Sequence, residues 1–394
     1  MSYSKKRMIF LTVFLGVMTA MAPLATDMYL PALPEMQLDL GITTSLAQLT
    51  LTMTMLGMAL GQIFAGPVSD MRGRRPPLLV GMVVFALASL GCVLVSNIYL
   101  FLLLRFVQGF AGASGIVIAR AIARDVCEGP ALTRFFAILM MVNGLAPILA
   151  PVLGGQILLF TSWRGVFVVL VAVGICQFLA SLIYRETLPP ERRVRGLLRS
   201  VAKFPRLVKD RYFRGHCLLQ CFVFGGFFVY IGGSSFAFQN VYGFTAQQFS
   251  FLFGGIGVGL LICGILPARL AGRVADEVLL RISQRVQVFG SLLLVAAFAL
   301  NLPVYIVIPV LFVTIVPLSV ISAASFSLAL SRQGRNAGSA SALLGFSQMV
   351  LGGIMMPVVG AFGGSTALPM GVIMAVFFGC GLLCYHRYIA AEQR

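Results

Sequence analysis

From Met8 onward the chain alternates long apolar runs with short polar or Pro/Gly-rich breaks. The runs occupy residues 8–30, 46–68, 77–96, 99–123, 133–160, 163–184, 214–238, 247–268, 286–302, 304–330, 338–362 and 367–388. A helix needs about 20 apolar residues to cross the roughly 30 Å hydrocarbon layer. The pattern therefore predicts twelve membrane-spanning helices. The narrowest break is Asn301-Leu302-Pro303. The widest is the polar stretch that starts at Arg185, and it divides the chain into a six-helix bundle (1–184), a linker (185–213) and a second six-helix bundle (214–394). Within the linker, Leu197, Leu198, Val201 and Phe204 predict a short amphipathic helix lying on anionic lipid.

Composition agrees with the pattern. The 394 residues are 59% hydrophobic and 10% charged, against about 25% charged in a soluble domain. This excludes a water-soluble core and predicts an all-α integral membrane protein. The net charge of +17 would ordinarily suggest nucleic acid, but the basic residues lie in alternate loops. Lys5, Lys6 and Arg7, then Arg72, Arg74 and Arg75, Arg124 and Arg134, the linker, Arg269, Arg273, Arg281 and Arg285, Arg332 and Arg335, and Arg387 and Arg394 fall on one side. Arg164 falls on the other. Positive residues hold loops in the cytoplasm, so both termini are expected there, with the lipid bilayer as partner and no nucleic acid. The basic N-terminus followed by Met8–Leu24 also has the look of a signal peptide. Pro23 directly after Ala20-Met21-Ala22, and the length of the run, favour a retained first span. The eight cysteines show no CxxC spacing and are read as small apolar packing groups, with no disulfide or metal site.

Of the twelve acidic residues, eleven lie in predicted loops or at span ends, and Asp27 alone lies inside a span. Ionisable groups within spans are rare and mark ion or substrate paths. A solvated carboxylate at the interface beside Pro31 and Pro34 is the alternative. Arg105, in the fourth span, is expected at similar depth because the first and fourth spans run in opposite directions. Its alternative is a snorkelling interfacial arginine. Burial and a nearby arginine act in opposite senses on a carboxylate's hold on a proton, so an Asp27–Arg105 contact is a candidate coupling site. Tyr29 is the one further pocket residue proposed, amid Met21, Leu24 and Met28, with Phe224, Phe227, Phe228, Tyr230 and Phe238 from the seventh span.

The halves echo each other at an offset of about 206 residues, with Pro151 in APILAPVLGG against Pro357 in GGIMMPVVGA. Paired six-span repeats belong to transporters with a midplane site. Between the second and third spans, GPVSDMRGRRP sets Gly66, Asp70, Gly73, Arg74 and Arg75 at fixed spacing. This resembles the signature loop of the major facilitator superfamily. LLLRFVQGFAGA (Leu102–Ala113) resembles that superfamily's fourth-helix motif, and ARD places Asp125 as the acidic partner. GLAPILAPVLGG resembles the fifth-helix motif of antiporters through Gly144, Pro147, Pro151, Gly154 and Gly155, with Ala150 where glycine is usual. TDMYLPALP and ETLPPERR resemble the Bcr/CflA group of bacterial drug-resistance transporters. Thr19 stands where some drug/proton antiporters carry a second acid, so a two-carboxylate mechanism in the first span has no support.

The resemblance implies a monomeric proton-coupled exporter of small lipophilic or cationic drugs in the bacterial cytoplasmic (inner) membrane. It implies a cytoplasmic latch at the loop, a fifth-helix seal against ion leak, and the proton gradient as energy source without a cofactor. The rivals are an exporter of a specific metabolite, such as a nucleoside, sugar or amino-acid product, and a channel or membrane enzyme. No metal cluster or nucleophile–base pair favours an enzyme, and no G-x4-G-K-[ST] loop favours direct use of ATP.

Overall fold

The computed structural model describes residues 5–127, 129–193, 209–270, 273–331, 333 and 337–390. Among them there is no strand. Helix α1 spans Lys5–Asp27 and ends where the sequence LPALP begins. Prolines cannot donate to a preceding turn. The chain therefore passes through a 3-10 turn, Leu30–Ala32, into the short helix α2, Leu33–Leu40, which Gly41 closes with a left-handed φ of 61°. Glu35 and Asp39, expected in a loop, lie on α2 because Pro34 starts a helix as readily as it ends one.

Next come α3 (Thr44–Arg72), α4 (Arg75–Leu94), α5 (Ile98–Val126), α6 (Gly129–Ile157) and α7 (Trp163–Ile183). After the linker come α8 (Arg211–Phe236), α9 (Ala246–Gly264), α10 (Asp276–Ala299), α11 (Val304–Ile315), α12 (Pro317–Ser331), α13 (Ala337–Gly360) and α14 (Leu368–Cys384). α11 and α12 form one 28-residue span, Val304–Ser331, interrupted where Pro317 withholds its donor. Among the described residues, eleven helical segments are long and apolar enough to cross a membrane. α6, 29 residues long with a shorter apolar stretch at Met141–Ile157, completes the twelve. The narrow break holds: Asn301 turns the chain with φ 50° and Pro303 precedes α11.

One boundary differs by ten residues. α10 starts at Asp276 rather than at 286, because Asp276 and Glu277 favour a helix start. Arg281 and Arg285 are exposed on that helix while Gln284 and Gln287 are buried. The surface helix expected around Leu197 and Phe204 lies outside the described residues. All eight cysteines are free thiols.

The chain divides into two compact units, Met1–Ile42 with Leu49–Leu197, and Thr43–Gln48 with Leu198–Arg394. In the first, α1 packs on α5 and α6, and α4 packs on α5 and α7. The single tryptophan, Trp163, opens α7: its backbone N–H donates to Glu35 at 3.2 Å and its indole N–H to Asp39 at 3.0 Å. Arg164 donates to the same Asp39 carboxylate at 2.6 Å. In the second unit α8 packs on α13 and α14, over a core that includes Leu219, Val223, Leu280 and Ile321.

The tightest of several backbone approaches in the first unit joins α6 to the end of α1. At Gly154 in α6 an added Cβ would stand 1.7 Å from the backbone carbonyl of Met28. A backbone atom cannot swing aside as a side chain does, so α6 reaches the end of α1 only through glycine. Gly154→Ala is expected to cost about 1–3 kcal/mol or more. Thermal unfolding of the purified protein followed by circular dichroism should show a midpoint lowered by several degrees; an unchanged midpoint would refute the close approach.

Candidate functional site

Asp27 is the last residue of α1 and is 8% exposed. The helix ends there because the prolines follow, so its final carbonyls lose their intrahelical donors. A helix C-terminus carries a partial negative charge, which makes this an unfavourable place for a bare carboxylate. The nearby polar side chain is the Thr26 hydroxyl. Among the described residues no lysine or arginine pairs with Asp27.

Arg105 is fully buried and its expected contact with Asp27 is not formed. Its Nη2 donates to the Ala25 carbonyl at 2.8 Å, two residues before Asp27, and its Nη1 donates to Gln108 Oε1. Gln108 Nε2 passes the chain to Ser89 Oγ at 2.7 Å, which donates to the Phe85 carbonyl. The guanidinium also lies 4.5 Å from the Tyr29 ring centre and 5.3 Å from that of Phe167. The magnitudes explain the choice. Burying an arginine costs several kcal/mol. Hydrogen bonds from a charged group return about 1.5–3 kcal/mol each, and a desolvated cation–π contact about 2 kcal/mol. Neutral acceptors and rings thus hold the charge through both Nη atoms, while Nε is left without an acceptor. Arg105 acts as a cationic cap on the buried C-terminal end of α1.

Tyr29 is enclosed, its hydroxyl bonded to Thr50 Oγ1 and its ring packed on Phe167. It holds the arginine from below. Gln108, Phe167 and Thr50 were not anticipated from sequence. Gln108 had a signal: a polar residue one turn from the arginine in an apolar span. The others had none. In the second unit Phe228 and Tyr230 are buried in a ring cluster with Phe224, Phe227 and Phe253, and Phe238 is buried against Tyr242 and Phe244. Of the fifth-helix residues, Pro147 and Pro151 lie inside an unbroken α6, Gly144 and Pro147 are half-buried, and Pro151, Gly154 and Gly155 are buried.

The loop between α3 and α4 is built around Arg74. Gly73 takes φ 94°, which an L side chain rarely adopts. That turn drops the Arg74 side chain back onto α3 and α5. Its Nε donates to Asp125 at 2.8 Å, Nη1 to Ser69 Oγ at 3.0 Å, and Nη1 also meets Asp70. Burial works against the guanidinium charge, but Asp125 and Asp70 outweigh it and hold the proton above the usual arginine value. Gly66 accepts from Ser69 Oγ at 2.8 Å. Among the described residues the Arg75 side chain pairs with no carboxylate: its Nη2 donates to the Leu182 carbonyl at 2.8 Å. Arg105 and Asp125 stand near opposite ends of α5, about 30 Å apart at 1.5 Å per residue. A cavity of about 300 Å³ lined by Phe64, Val68, Arg72, Val80 and Phe110 reaches neither Asp27, Arg105 nor Tyr29. Among the described residues no cluster of three or more His, Cys, Asp or Glu could hold a metal.

Arg105→Lys is expected to lose the second donor and the planar stacking. A loss of about 1.5–3 kcal/mol should appear as a lower unfolding midpoint, with Arg105→Met lower still. Equal stability of the lysine variant and the wild type would contradict the capping role.

Comparison with known proteins follows the same lines. The Major Facilitator Superfamily profile matches residues 15–357. An uncharacterized MFS-type transporter of Bacillus subtilis (strain 168), YdgK, is 39% identical over 384 residues, 96% of this chain and 95% of its own length. A bicyclomycin resistance protein homolog of Haemophilus influenzae is 33% identical over 389 residues, 98% of this chain and 97% of its own. The solved D-xylose-proton symporter shares the fold at TM-score 0.76 and 12% identity, over 97% of this chain and 98% of that one. With a profile spanning most of the residues and relatives aligned end to end, the chain belongs to the major facilitator superfamily and is a multi-pass membrane transporter, not an enzyme.

Proposed function

We propose that the chain exports small lipophilic or cationic molecules in exchange for protons, by alternating access, across the bacterial cytoplasmic membrane, with both termini in the cytoplasm. The observation that carries this reading is Asp27: a buried carboxylate at a helix C-terminus, with no cationic side chain paired to it among the described residues. Its one candidate partner, Arg105, is committed elsewhere. A carboxylate so placed is relieved by a proton or by a bound cation, one at a time. Each ligand shifts the inward–outward equilibrium only by its differential affinity for the two states. Competition for one carboxylate supplies that difference. The drug-resistance name of a relative supports the substrate class, and the basic loops support the orientation. The Arg74–Asp70–Asp125 cluster serves as the latch at the other end of the unit.

The test uses energised everted vesicles and a panel of lipophilic cations and antibiotics. Several compounds should collapse the pH gradient with wild-type protein, and none with Asp27→Asn at matched expression, a loss of at least about tenfold. Equal responses would remove Asp27 from the mechanism. Silence in both would turn the search to specific metabolites.

A further inference from the structure

The residues that follow α7 fold back onto the loop between α3 and α4. One side chain does most of the holding. Glu186 Oε1 accepts the backbone N–H of Arg74 at 2.9 Å, of Thr187 at 3.0 Å and of Leu188 at 3.0 Å. Its Oε2 accepts the N–H of Arg75 at 3.0 Å. The sequence at the start of α4 explains why this carboxylate matters. A helix leaves its first N–H groups without internal partners. Here Arg75 opens the helix, and Pro76 and Pro77, which follow it, have no N–H to offer. Arg74, the residue before the helix, supplies no side-chain cap. The two donors the sequence leaves at that end are both taken by Glu186, from 112 and 111 residues away. A negative charge at a helix start is favourable as well.

The surroundings are fitted to this contact. An added Cβ at Gly73 would stand 2.6 Å from Glu186 Oε2, so Gly73 serves both the turn and the carboxylate. Thr187 Oγ1 donates to Asp125 Oδ2 at 3.2 Å, the same oxygen that Arg74 Nε reaches. Tyr184 and Thr187 hydroxyls meet at 2.6 Å. Arg75 closes the ring on the Leu182 carbonyl. Burial pushes the Glu186 carboxyl up, and the four N–H groups outweigh it and hold it below the usual glutamate range. The contact is therefore complete at neutral pH and is lost only as pH falls through that depressed value.

We infer that Glu186 is a positioning residue that ties the start of the linker to the latch loop, so that the loop, the end of α5 and the chain leaving α7 move as one body. A displacement of the chain leaving α7 then reaches Arg74 through backbone hydrogen bonds rather than through charge pairing. The inference rests on the reading of the Arg74 cluster as a latch.

Hydrogen exchange on the full-length protein tests it. Peptides spanning residues 71–78 have the same sequence in wild type and in variants at position 186. In Glu186→Ala the amides of Arg74 and Arg75 should exchange about tenfold faster or more, with Glu186→Gln intermediate and Asp125→Asn showing a smaller effect. Unchanged exchange in Glu186→Ala overturns the tether. In the vesicle assay, Glu186→Gln should lower the maximal rate severalfold and leave the half-saturating substrate concentration unchanged, since Glu186 lies far along α5's length from Asp27. A shifted half-saturation with an unchanged rate would overturn the positioning role. The exchange arm needs no substrate, so failure of cation antiport and failure of the tether are separate results.

Discussion

Hydrocarbon offers no hydrogen bonds, so every backbone group and charge within the span must find its partner inside the protein. The end of α1 meets this demand in a particular way. Two prolines follow its last residue, Asp27, and leave carbonyls without intrahelical donors. Arg105 answers them with one arm and answers its own burial with Gln108 and the Tyr29 and Phe167 rings. What remains without a cationic partner among the described residues is Asp27. The neutral solution found for the arginine is what leaves the carboxylate available.

Much of this was legible because membranes make exceptions conspicuous. An aspartate and an arginine in apolar runs stand out by being costly, and the count of runs followed from bilayer thickness. The partner of Arg105 was not legible. A backbone carbonyl occurs at every residue, so nothing in the sequence marks Ala25 as the acceptor. Proximity in depth pointed to Asp27, and the local accounting of donors and acceptors decided otherwise. The start of α10 was misplaced for a related reason: hydropathy reads where a helix enters lipid, while Asp276 and Glu277 mark where its hydrogen bonds begin.

A second device recurs at helix starts. Glu35 takes the first N–H of α7, and Glu186 takes those at the start of α4. In both cases the local residue before the helix gives no side-chain cap, and a carboxylate from a distant segment does the work. Such contacts join elements far apart in sequence. They escape sequence reading because a cap is normally sought within three residues of the helix it serves.

Trp163 has one more consequence. It is the chain's single indole. Its ring lies 6.0 Å from Phe167, the same ring that faces the Arg105 guanidinium, and 4.2 Å from the Arg164 cation. The protein thus carries a native fluorophore at one address, one aromatic ring away from the arginine that caps α1. Its emission spectrum belongs to that corner of the fold alone, and any rearrangement around Asp27 that shifts the Phe167 ring has an unlabelled optical signature.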